Sequence, residues 1–256
     1  MLKKILAIGA AVVLYLMCSP LRAAIPETIN FATEATFPPF EYMDASGQVK
    51  GFEIDMVNAM CQLMKVKCTY SNQPWVSLIP SLKLGKFQAI ISAMSITPER
   101  QQQVDFTQPY FATTAHFVVP VGSQLVISPE GLKGKVVGVQ IGTTSSKYLE
   151  AKYGKIVTIK TYPNQQEALL DLAAGRVDTV LGDTPVTAEW LRQRGLNKKY
   201  VFTGPAIDDP AFFGVGYGIA VKKGNKELLD AFNKALAEIK ANGTWQKIVD
   251  AYFKQQ

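Results

Sequence analysis

One pattern occurs twice in this sequence, ninety residues apart, and it constrains the fold more than any other feature. Residues 78–91 and 168–181 both begin as an amphipathic helix, reach a glycine and continue as a short apolar strand. A glycine at such a position, Gly85 in the first copy and Gly175 in the second, is typical of a helix end in the left-handed conformation. The sequence therefore predicts two similar α/β units.

Polar positions follow the strand of each copy. Ser92 and Ala93 follow the first strand, and Gly182 and Asp183 occupy the same positions after the second. Ligands of open α/β sheets bind just outside the carboxyl ends of the strands. Two such sheets that face each other would form a ligand cleft between two lobes.

The segment 90–100 is open to two interpretations. Its hydroxyl groups, with Ser95 among them, and the guanidinium of Arg100 suit a carboxylate, which an arginine can hold with two parallel hydrogen bonds. The alternative is a strand followed by a capped helix, with Thr97 as the N-cap, Pro98 at the first helical position and Arg100 in solvent. The segment by itself leaves both interpretations open.

The remaining elements fit two α/β lobes. Strands are predicted at 28–33, 68–70 and 135–140, and helices at 53–64, 227–240 and from Thr244 onward. The strand at 135–140 meets a glycine and a hydroxyl-rich helix start, which could bind an anion or be an ordinary Thr/Ser cap. We expect residues 24–112 and 212–256 to form the first lobe and residues 113–211 to form the second, with crossings near Thr113 and Phe213–Gly216.

The first 23 residues have the layout of a secretory signal peptide. Lys3 and Lys4 precede an apolar run that is short for a membrane span, and Ala23 marks the predicted cleavage site. Cys18 lacks the small preceding residue expected beside a lipidated cysteine. Cleavage removes three basic residues and no acidic one, so the formal net charge falls from +6 to +3. So small a charge indicates no nucleic-acid partner, and the mature protein is predicted to be exported.

Two cysteines, Cys61 and Cys68, remain in the predicted mature chain. In an oxidising compartment, a pair so close in sequence indicates a disulfide, which would contribute about 2–3 kcal/mol to stability. The alternative, two buried thiols, fits an exported protein less well.

Seven motifs spread over the mature chain carry a resemblance to a known family. They lie at 33–40, 51–55, 78–82, 95–100, 142–144, 182–183 and 243–245. With these motifs the chain resembles the periplasmic solute-binding proteins of polar amino acid ABC importers, above all those that bind arginine or lysine, arginine, ornithine and histidine. The resemblance implies a type II α/β fold of two lobes, each a mostly parallel sheet flanked by helices, with the ligand between them. It also implies a monomer that needs no cofactor or metal and an inner-membrane permease as its partner.

The resemblance also implies a set of ligand-binding residues. They are Glu34, Phe37, Trp75, Ser92, Ala93, Ser95, Arg100, Gln140, Thr143, Thr144 and Asp183. Arg100 would hold the ligand α-carboxylate, helped by Ser95 and Thr144, and Asp183 would accept from the α-ammonium, helped by residues 92–93. A zwitterion needs such a fixed cation and fixed anion a few ångströms apart.

Side-chain specificity is expected from four of these positions. Phe37 and Trp75 fall where the family stacks the ligand side chain between aromatic faces, which favours a planar cation such as guanidinium. Glu34 falls where the distal charge of a ligand would lie, and a carboxylate there favours arginine, lysine, ornithine or histidine. It could also accept from the amide of glutamine. Gln140 faces the region where specificity varies in the family.

Exported lyases of the cyclohexadienyl dehydratase kind and extracellular sensor domains share the implied fold. An enzyme needs a titratable group aimed at the reacting carbon, whereas the single histidine, His116, lies in a predicted strand and is interpreted as structural or exposed. A sensor would need a membrane segment or signalling domain after the second lobe, and none occurs before Gln256; a sensor that acts through a separate partner stays open. We therefore expect a non-catalytic binder of a basic L-amino acid, arginine first, with glutamine as the alternative.

Overall fold

The computed structural model of the chain describes residues 25–254. The predicted signal peptide, residues 1–23, lies outside the described residues. Between residues 25 and 254, no helix is long and apolar enough to cross a membrane.

The described residues form thirteen strands and ten α-helices. The strands are β1 (Thr28–Thr33), β2 (Thr36–Phe37), β3 (Glu41–Met43), β4 (Val49–Lys50), β5 (Lys67–Asn72), β6 (Ala89–Ile90), β7 (Val104–Phe106), β8 (Ala115–Pro120), β9 (Val136–Gln140), β10 (Thr158–Tyr162), β11 (Thr179–Asp183), β12 (Tyr200–Ile207) and β13 (Ala220–Lys222). The helices are α1 (Phe52–Met64), α2 (Leu78–Lys83), α3 (Pro98–Gln101), α4 (Pro129–Leu132), α5 (Thr144–Tyr153), α6 (Gln165–Ala173), α7 (Thr184–Gln193), α8 (Pro210–Phe213), α9 (Lys226–Ala241) and α10 (Thr244–Phe253).

Two five-stranded sheets form the centres of two lobes. The first has the order β5-β1-β6-β13-β7 and the second the order β10-β9-β11-β8-β12, while β2, β3 and β4 form a small antiparallel sheet. In each large sheet four strands run in one direction and one runs against them, β13 in the first sheet and β8 in the second. With helices packed on these sheets, the fold class predicted from the sequence is confirmed.

The two copies of the ninety-residue repeat have the same hydrogen bonds at the C-terminal ends of their helices, α2 and α6. Gly85 and Gly175 have φ angles of 74° and 69°. In both copies the N–H of the residue after the glycine donates to the carbonyl five residues back, at 3.1 Å in the first and 2.9 Å in the second. This hydrogen bond belongs to a Schellman motif, which requires the left-handed conformation that glycine adopts readily. The two predicted helix ends are therefore equivalent in the structure.

Helices α1, α9 and α10 cover one face of the first sheet. In α9, Leu228, Phe232, Leu236 and Ile239 recur at helical spacing and are buried against the sheet. The apolar side chains of α10 pack against the same cluster, but none of them is fully buried. Helix α10 therefore lies toward the edge of this core.

The second sheet is covered on both faces. Neighbouring residues of β8 point to opposite sides, with Phe117 in the cluster that holds Leu149 of α5 and Val118 in the cluster that holds Trp190 of α7. This alternation is the period of two expected of a strand that is buried on both faces. The second lobe therefore has a core of its own.

The two segments that cross between the lobes contact each other. Tyr217 N–H donates to the carbonyl of Phe111 at 2.8 Å. Gly214 and Gly216 have positive φ angles, and a Cβ atom there would lie 1.9 Å from the Ile96 carbonyl oxygen and 2.6 Å from that of Phe111. Only glycine permits so close an approach of backbone to backbone.

The limits of the lobes, 24–112 with 212–256 and 113–211, stay a prediction. Phe213 packs in the core of the second sheet. Its position supports a second crossing that begins just after it, within the predicted segment 213–216.

A disulfide joins Cys61 on α1 to Cys68 on β5, with the two Cα atoms 6.3 Å apart, and the predicted pairing is confirmed. We expect the Cys61→Ser/Cys68→Ser protein to lose about 2–3 kcal/mol of unfolding free energy, because its unfolded chain is no longer constrained by the cross-link. Equilibrium urea unfolding measures this loss. As a control, dithiothreitol should destabilise the parent to the same extent and leave the double variant unchanged. Equal stability of parent and variant in oxidising buffer would contradict the expectation.

Candidate functional site

The predicted ligand-binding residues line one cavity between the two lobes. The space between these residues, open solvent included, amounts to about 320 Å³. All eleven predicted residues line it, together with one that was not predicted, Glu41. The first lobe contributes Glu34, Phe37, Glu41, Trp75, Ser92, Ala93, Ser95 and Arg100, and the second contributes Gln140, Thr143, Thr144 and Asp183. Their roles toward a ligand stay predictions.

Arg100 projects from α3 into the wall that the first lobe contributes. Thr97 caps this helix by accepting from the N–H of Arg100 at 3.3 Å, with Pro98 in the first turn. The capped-helix interpretation is thus correct for the backbone, but Arg100 is only 8% exposed and not in solvent. Its Nη1 donates to the carbonyl of Ser95 at 3.0 Å, and its guanidinium carbon lies 5.1 Å from the ring centre of Trp75.

The charge of Arg100 persists at neutral pH. Burial lowers the pKa of its guanidinium to about 10, while the negative charges of Glu99 and Asp183 oppose the shift. A pKa so far above neutrality leaves the group protonated. The cavity therefore contains a fixed cation whose orientation is restrained by the Ser95 carbonyl.

Asp183 lies on the opposite wall, at the end of β11 and immediately before α7. Its backbone N–H donates to Oε1 of Gln165 at 3.1 Å, and its side chain makes no capping hydrogen bond. Burial raises the pKa of this carboxyl group to about 6, against the lowering effects of the Tyr217 hydroxyl and the Arg100 charge. Near pH 7 the carboxylate is mostly ionised, so the cavity has an anion on one lobe and a cation on the other.

The start of α5 contributes Thr143 and Thr144. Thr143 is the N-cap, and its hydroxyl accepts from the N–H of Ser146 at 3.1 Å and donates to the Gln140 carbonyl at 2.9 Å. The cap interpretation is thus correct for Thr143. Thr144, the first residue of the helix, lines the cavity. Helix starts have backbone N–H groups without intrahelical partners and attract negative charge, so this wall suits an anion.

Glu34 and Gln140 meet across the cavity. Gln140 Nε2 donates to Oε2 of Glu34 at 2.8 Å, and the hydroxyl of Thr36 donates to Oε1 at 3.1 Å. Burial raises the pKa of Glu34 to about 7, and the hydrogen bonds from Gln140 and Thr36 oppose this rise. A cation placed beside such a group favours its ionised form. Glu34 can therefore complement a positive ligand side chain.

Comparison with known proteins gives the family of this chain. Residues 29–255 match the bacterial extracellular solute-binding proteins, family 3. The chain belongs to this family. The putative ABC transporter arginine-binding protein 2 of Escherichia coli K12 is 46% identical to it over 235 residues, which cover 92% of this chain and 94% of that protein.

Solved structures of an ancestral arginine-binding protein, one bound to arginine and one to glutamine, resemble this family 3 solute-binding protein closely. Both are 40% identical to it and cover 90% of the chain. The TM-scores are 0.83 for the arginine complex and 0.81 for the glutamine complex, with 100% and 99% of those chains covered. The resemblance therefore extends over nearly the whole of the described fold.

Direct contacts join the two lobes of this family 3 solute-binding protein around the cavity. In addition to the Gln140–Glu34 hydrogen bond, Nε1 of Trp75 donates to the Gly142 carbonyl at 3.1 Å. Nε2 of Gln166 donates to the Thr36 carbonyl at 2.7 Å. An exposed Lys147–Glu99 ion pair also spans the lobes, but exposed pairs contribute little. The structure thus presents the lobes in mutual contact.

Two buried acidic residues below the cavity were not predicted, Glu41 on β3 and Glu53 in α1. The hydroxyl of Ser92 donates to Oε1 of Glu41 at 3.2 Å, and the N–H of Ala93 donates to Oε1 of Glu53 at 2.9 Å. The Tyr110 hydroxyl donates to the same Glu53 oxygen. The sequence offers one signal for them: each acidic residue directly follows a phenylalanine, Phe40 before Glu41 and Phe52 before Glu53. Ser92 and Ala93 are therefore held by buried carboxyl groups.

Proposed function

We propose that this chain is the periplasmic binding component of an ABC amino acid importer and that it binds a basic L-amino acid, arginine first. The observation that carries the proposal is the placement of Arg100 and Asp183 on opposite lobes of one small cavity. The α-carboxylate of an amino acid complements the guanidinium of Arg100, and its α-ammonium complements the carboxylate of Asp183. With both charges of the zwitterion matched, the other lining residues remain for the ligand side chain.

The charges of those other residues favour a cationic side chain. Glu34 and Glu41 line the cavity, whereas Arg100 is the one cation among its lining residues in the described part of the chain. Phe37 and Trp75 add aromatic faces, and a guanidinium over such a face gains about 0.5–2 kcal/mol. Acidic side chains are disfavoured, because they would lie beside carboxylates in a site that is shielded from water.

Glutamine is the second candidate ligand, and a specific contact favours it. The amide of Gln140 already donates to Glu34 at 2.8 Å, so this carboxyl group can accept from an amide as well as from a cation. The ancestral arginine-binding protein has a solved structure with each of the two ligands. Arginine takes precedence because only a cation gains from the negative charge of the cavity.

The protein acts by binding and not by catalysis. His116 does not line the cavity; its Nδ1 lies 2.7 Å from the Thr184 hydroxyl, and burial lowers its pKa. The charged groups of the cavity are accounted for by complementarity to an amino acid. A ligand held by both lobes stabilises the closed arrangement, and a permease in the inner membrane would recognise the surface that both lobes then form.

A thermal-shift screen of the twenty amino acids followed by calorimetry tests this function, on protein freed of bound ligand by unfolding and refolding. L-arginine should raise the melting temperature most, since a ligand at a hundred times its Kd stabilises the native state by about 2.7 kcal/mol. Lysine and ornithine should give smaller shifts. Agmatine, which is arginine without the α-carboxylate, is the matched control and should give almost none because Arg100 loses its partner. A response to glutamine without one to arginine would overturn the proposed ligand.

A further inference from the structure

Glu41 and Glu53 form a pair of carboxyl groups in the floor of the cavity. They come from β3 and α1, and neither is exposed to solvent. The two side chains are within hydrogen-bonding reach of each other. In each of them Oε2 is buried and has no hydrogen-bond partner. Glu41 also lines the cavity, so one member of the pair faces the ligand.

The surroundings of the pair supply too few donors for two negative charges. Glu53 accepts from the N–H of Ala93 and the hydroxyl of Tyr110, and Glu41 accepts only from the hydroxyl of Ser92. Among residues 25–254, no lysine or arginine forms a salt bridge with either group. Two buried carboxylates in contact cannot both be ionised without a large penalty. One proton shared between the two carboxyl groups removes the repulsion between them.

The distribution of donors indicates where this proton lies. Glu53 receives two hydrogen bonds that favour its ionised form, and Glu41 receives one. Burial and the neighbouring carboxyl group of Glu53 raise the pKa of Glu41 well above its usual value. Burial raises the pKa of Glu53 to about 7, opposed by hydrogen bonds from Glu41, Tyr110 and Ala93. Glu41 is therefore the neutral acid that donates to Glu53.

On the basis of the proposed function, we propose that Glu41 carries a proton shared with Glu53 and that a cationic amino acid displaces it on entering the cavity. The bond between this proton and Glu41 breaks, the electron pair stays on the carboxylate, and the proton passes to a buffer base in solution. The ligand cation then takes the place of the proton as the partner of Glu41. A neutral side chain cannot do so, which makes the preference for a cation increase with pH.

Other titratable groups lie near the pair or face the ligand. Tyr110 and Tyr217 pack against it from the crossing segments, and burial and nearby carboxyl groups raise their pKa values well above the usual 10, so both stay neutral. Glu34 is a second carboxyl group whose proton a cation could displace. Asp183 and Arg100 face the ligand head group, which is the same for cationic and neutral amino acids. Their contribution therefore cancels when arginine is compared with a neutral ligand of similar shape.

The sign of the linkage follows from the direction of proton movement. Binding that releases a proton becomes tighter as the pH rises. The logarithm of the association constant increases, per pH unit, by the number of protons released. The pKa values of Glu34 and Glu53 are raised to about 7, and that of Glu41 is raised well above its usual value. The pH range in which proton release affects binding therefore begins near pH 5.5 and extends above neutrality. We expect the affinity ratio of arginine to citrulline to increase by at least about tenfold between pH 5.5 and pH 8. L-citrulline is the matched probe because it has a neutral urea in place of the guanidinium.

Isothermal titration calorimetry at pH 7 in buffers of different ionisation enthalpy counts the protons directly. The slope of binding enthalpy against buffer ionisation enthalpy should show about 0.5–1 more protons released with arginine than with citrulline. Equal proton release with the two ligands would overturn the proposal. This measurement on the parent protein can overturn the proposal even where a variant fails to fold.

Two variants assign the proton to a residue. In Glu53→Gln the amide donates to Glu41 without a proton that can be released, so the extra release should fall by at least half while arginine still binds. In Glu34→Gln the release from the pair should persist. Loss of release in Glu34→Gln with full release in Glu53→Gln would overturn the proposal. Glu189→Gln, a buried carboxylate held by Arg192 in the second lobe, is the control and should leave both proton release and affinity unchanged.

The failure of this inference is distinguishable from failure of the proposed function. An absence of arginine binding at any pH would overturn both. Arginine binding with no proton release beyond that of citrulline would leave the proposed function intact and overturn the shared proton alone.

Discussion

The Arg100→Ala protein is expected to bind its amino acid roughly two to four orders of magnitude more weakly than the parent, a loss of about 3–5 kcal/mol. The reason is that the ligand α-carboxylate would be buried without the guanidinium that neutralises it. The affinity of Arg100→Lys should lie between those of the parent and Arg100→Ala, because an ammonium keeps the charge but cannot make two parallel hydrogen bonds. Calorimetry with arginine measures all three dissociation constants.

Arg192→Ala is the matched control for this variant. Arg192 is an exposed arginine of the second lobe that pairs with Glu189 and lies outside the cavity. Its removal should leave the dissociation constant within about twofold of the parent. An Arg100→Ala protein that binds within tenfold of the parent would show that Arg100 is not the carboxylate partner. Circular dichroism should show an intact fold in each variant.

The second large effect is expected at Asp183. Asp183→Ala leaves the ligand ammonium without its anion and should weaken binding by about 3–5 kcal/mol. Asp183→Asn keeps the shape of the side chain and one acceptor oxygen but removes the charge. If its loss of binding free energy is nearly as large as that of Asp183→Ala, the effect is due to the charge. Thr184→Ala, a change at the next residue, which does not line the cavity, is the control. Tight binding by Asp183→Ala would instead place the ammonium elsewhere.

Asp183 should also limit binding at low pH. Burial raises its pKa to about 6, and a bound ammonium favours the ionised form. The contribution of this group to affinity is therefore nearly complete above about pH 7 and declines as the pH falls through 6 and below. In the Asp183→Asn protein this part of the pH dependence should disappear, whereas the difference between arginine and citrulline should remain.

Local signals made much of the fold predictable. The ends of α2 and α6 depend on a glycine and a hydrogen bond within one turn, and both ends were visible in the sequence at Gly85 and Gly175. The segment 90–100 shows the limit of such signals. Thr97 and Pro98 predicted the capped helix correctly, but whether Arg100 points to solvent depends on Trp75 and on the second lobe, which the segment does not contain.

The buried pair Glu41–Glu53 was not predictable from local patterns, for physical reasons. Glu41 lies on a three-residue strand, too short for alternation to show which face is buried. Glu53 is in the first turn of α1, where an acidic residue is expected on the surface because it complements the helix dipole. Burial of the pair depends on Tyr110 and Tyr217, which arrive from the crossing segments between the lobes. Only the assembled fold brings these groups together.

The position of β13 between β6 and β7 has a consequence for the order of assembly during export. All five strands of the second sheet lie between residues 115 and 207, whereas the first sheet needs residues 220–222 at its interior. A chain that crosses a membrane amino end first can complete its second sheet while the first still lacks a strand. Pairings between residues so distant in sequence form slowly. We therefore expect the lobe that begins at the amino end to be completed last, with its apolar strands unpaired until the carboxyl-terminal part of the chain has emerged.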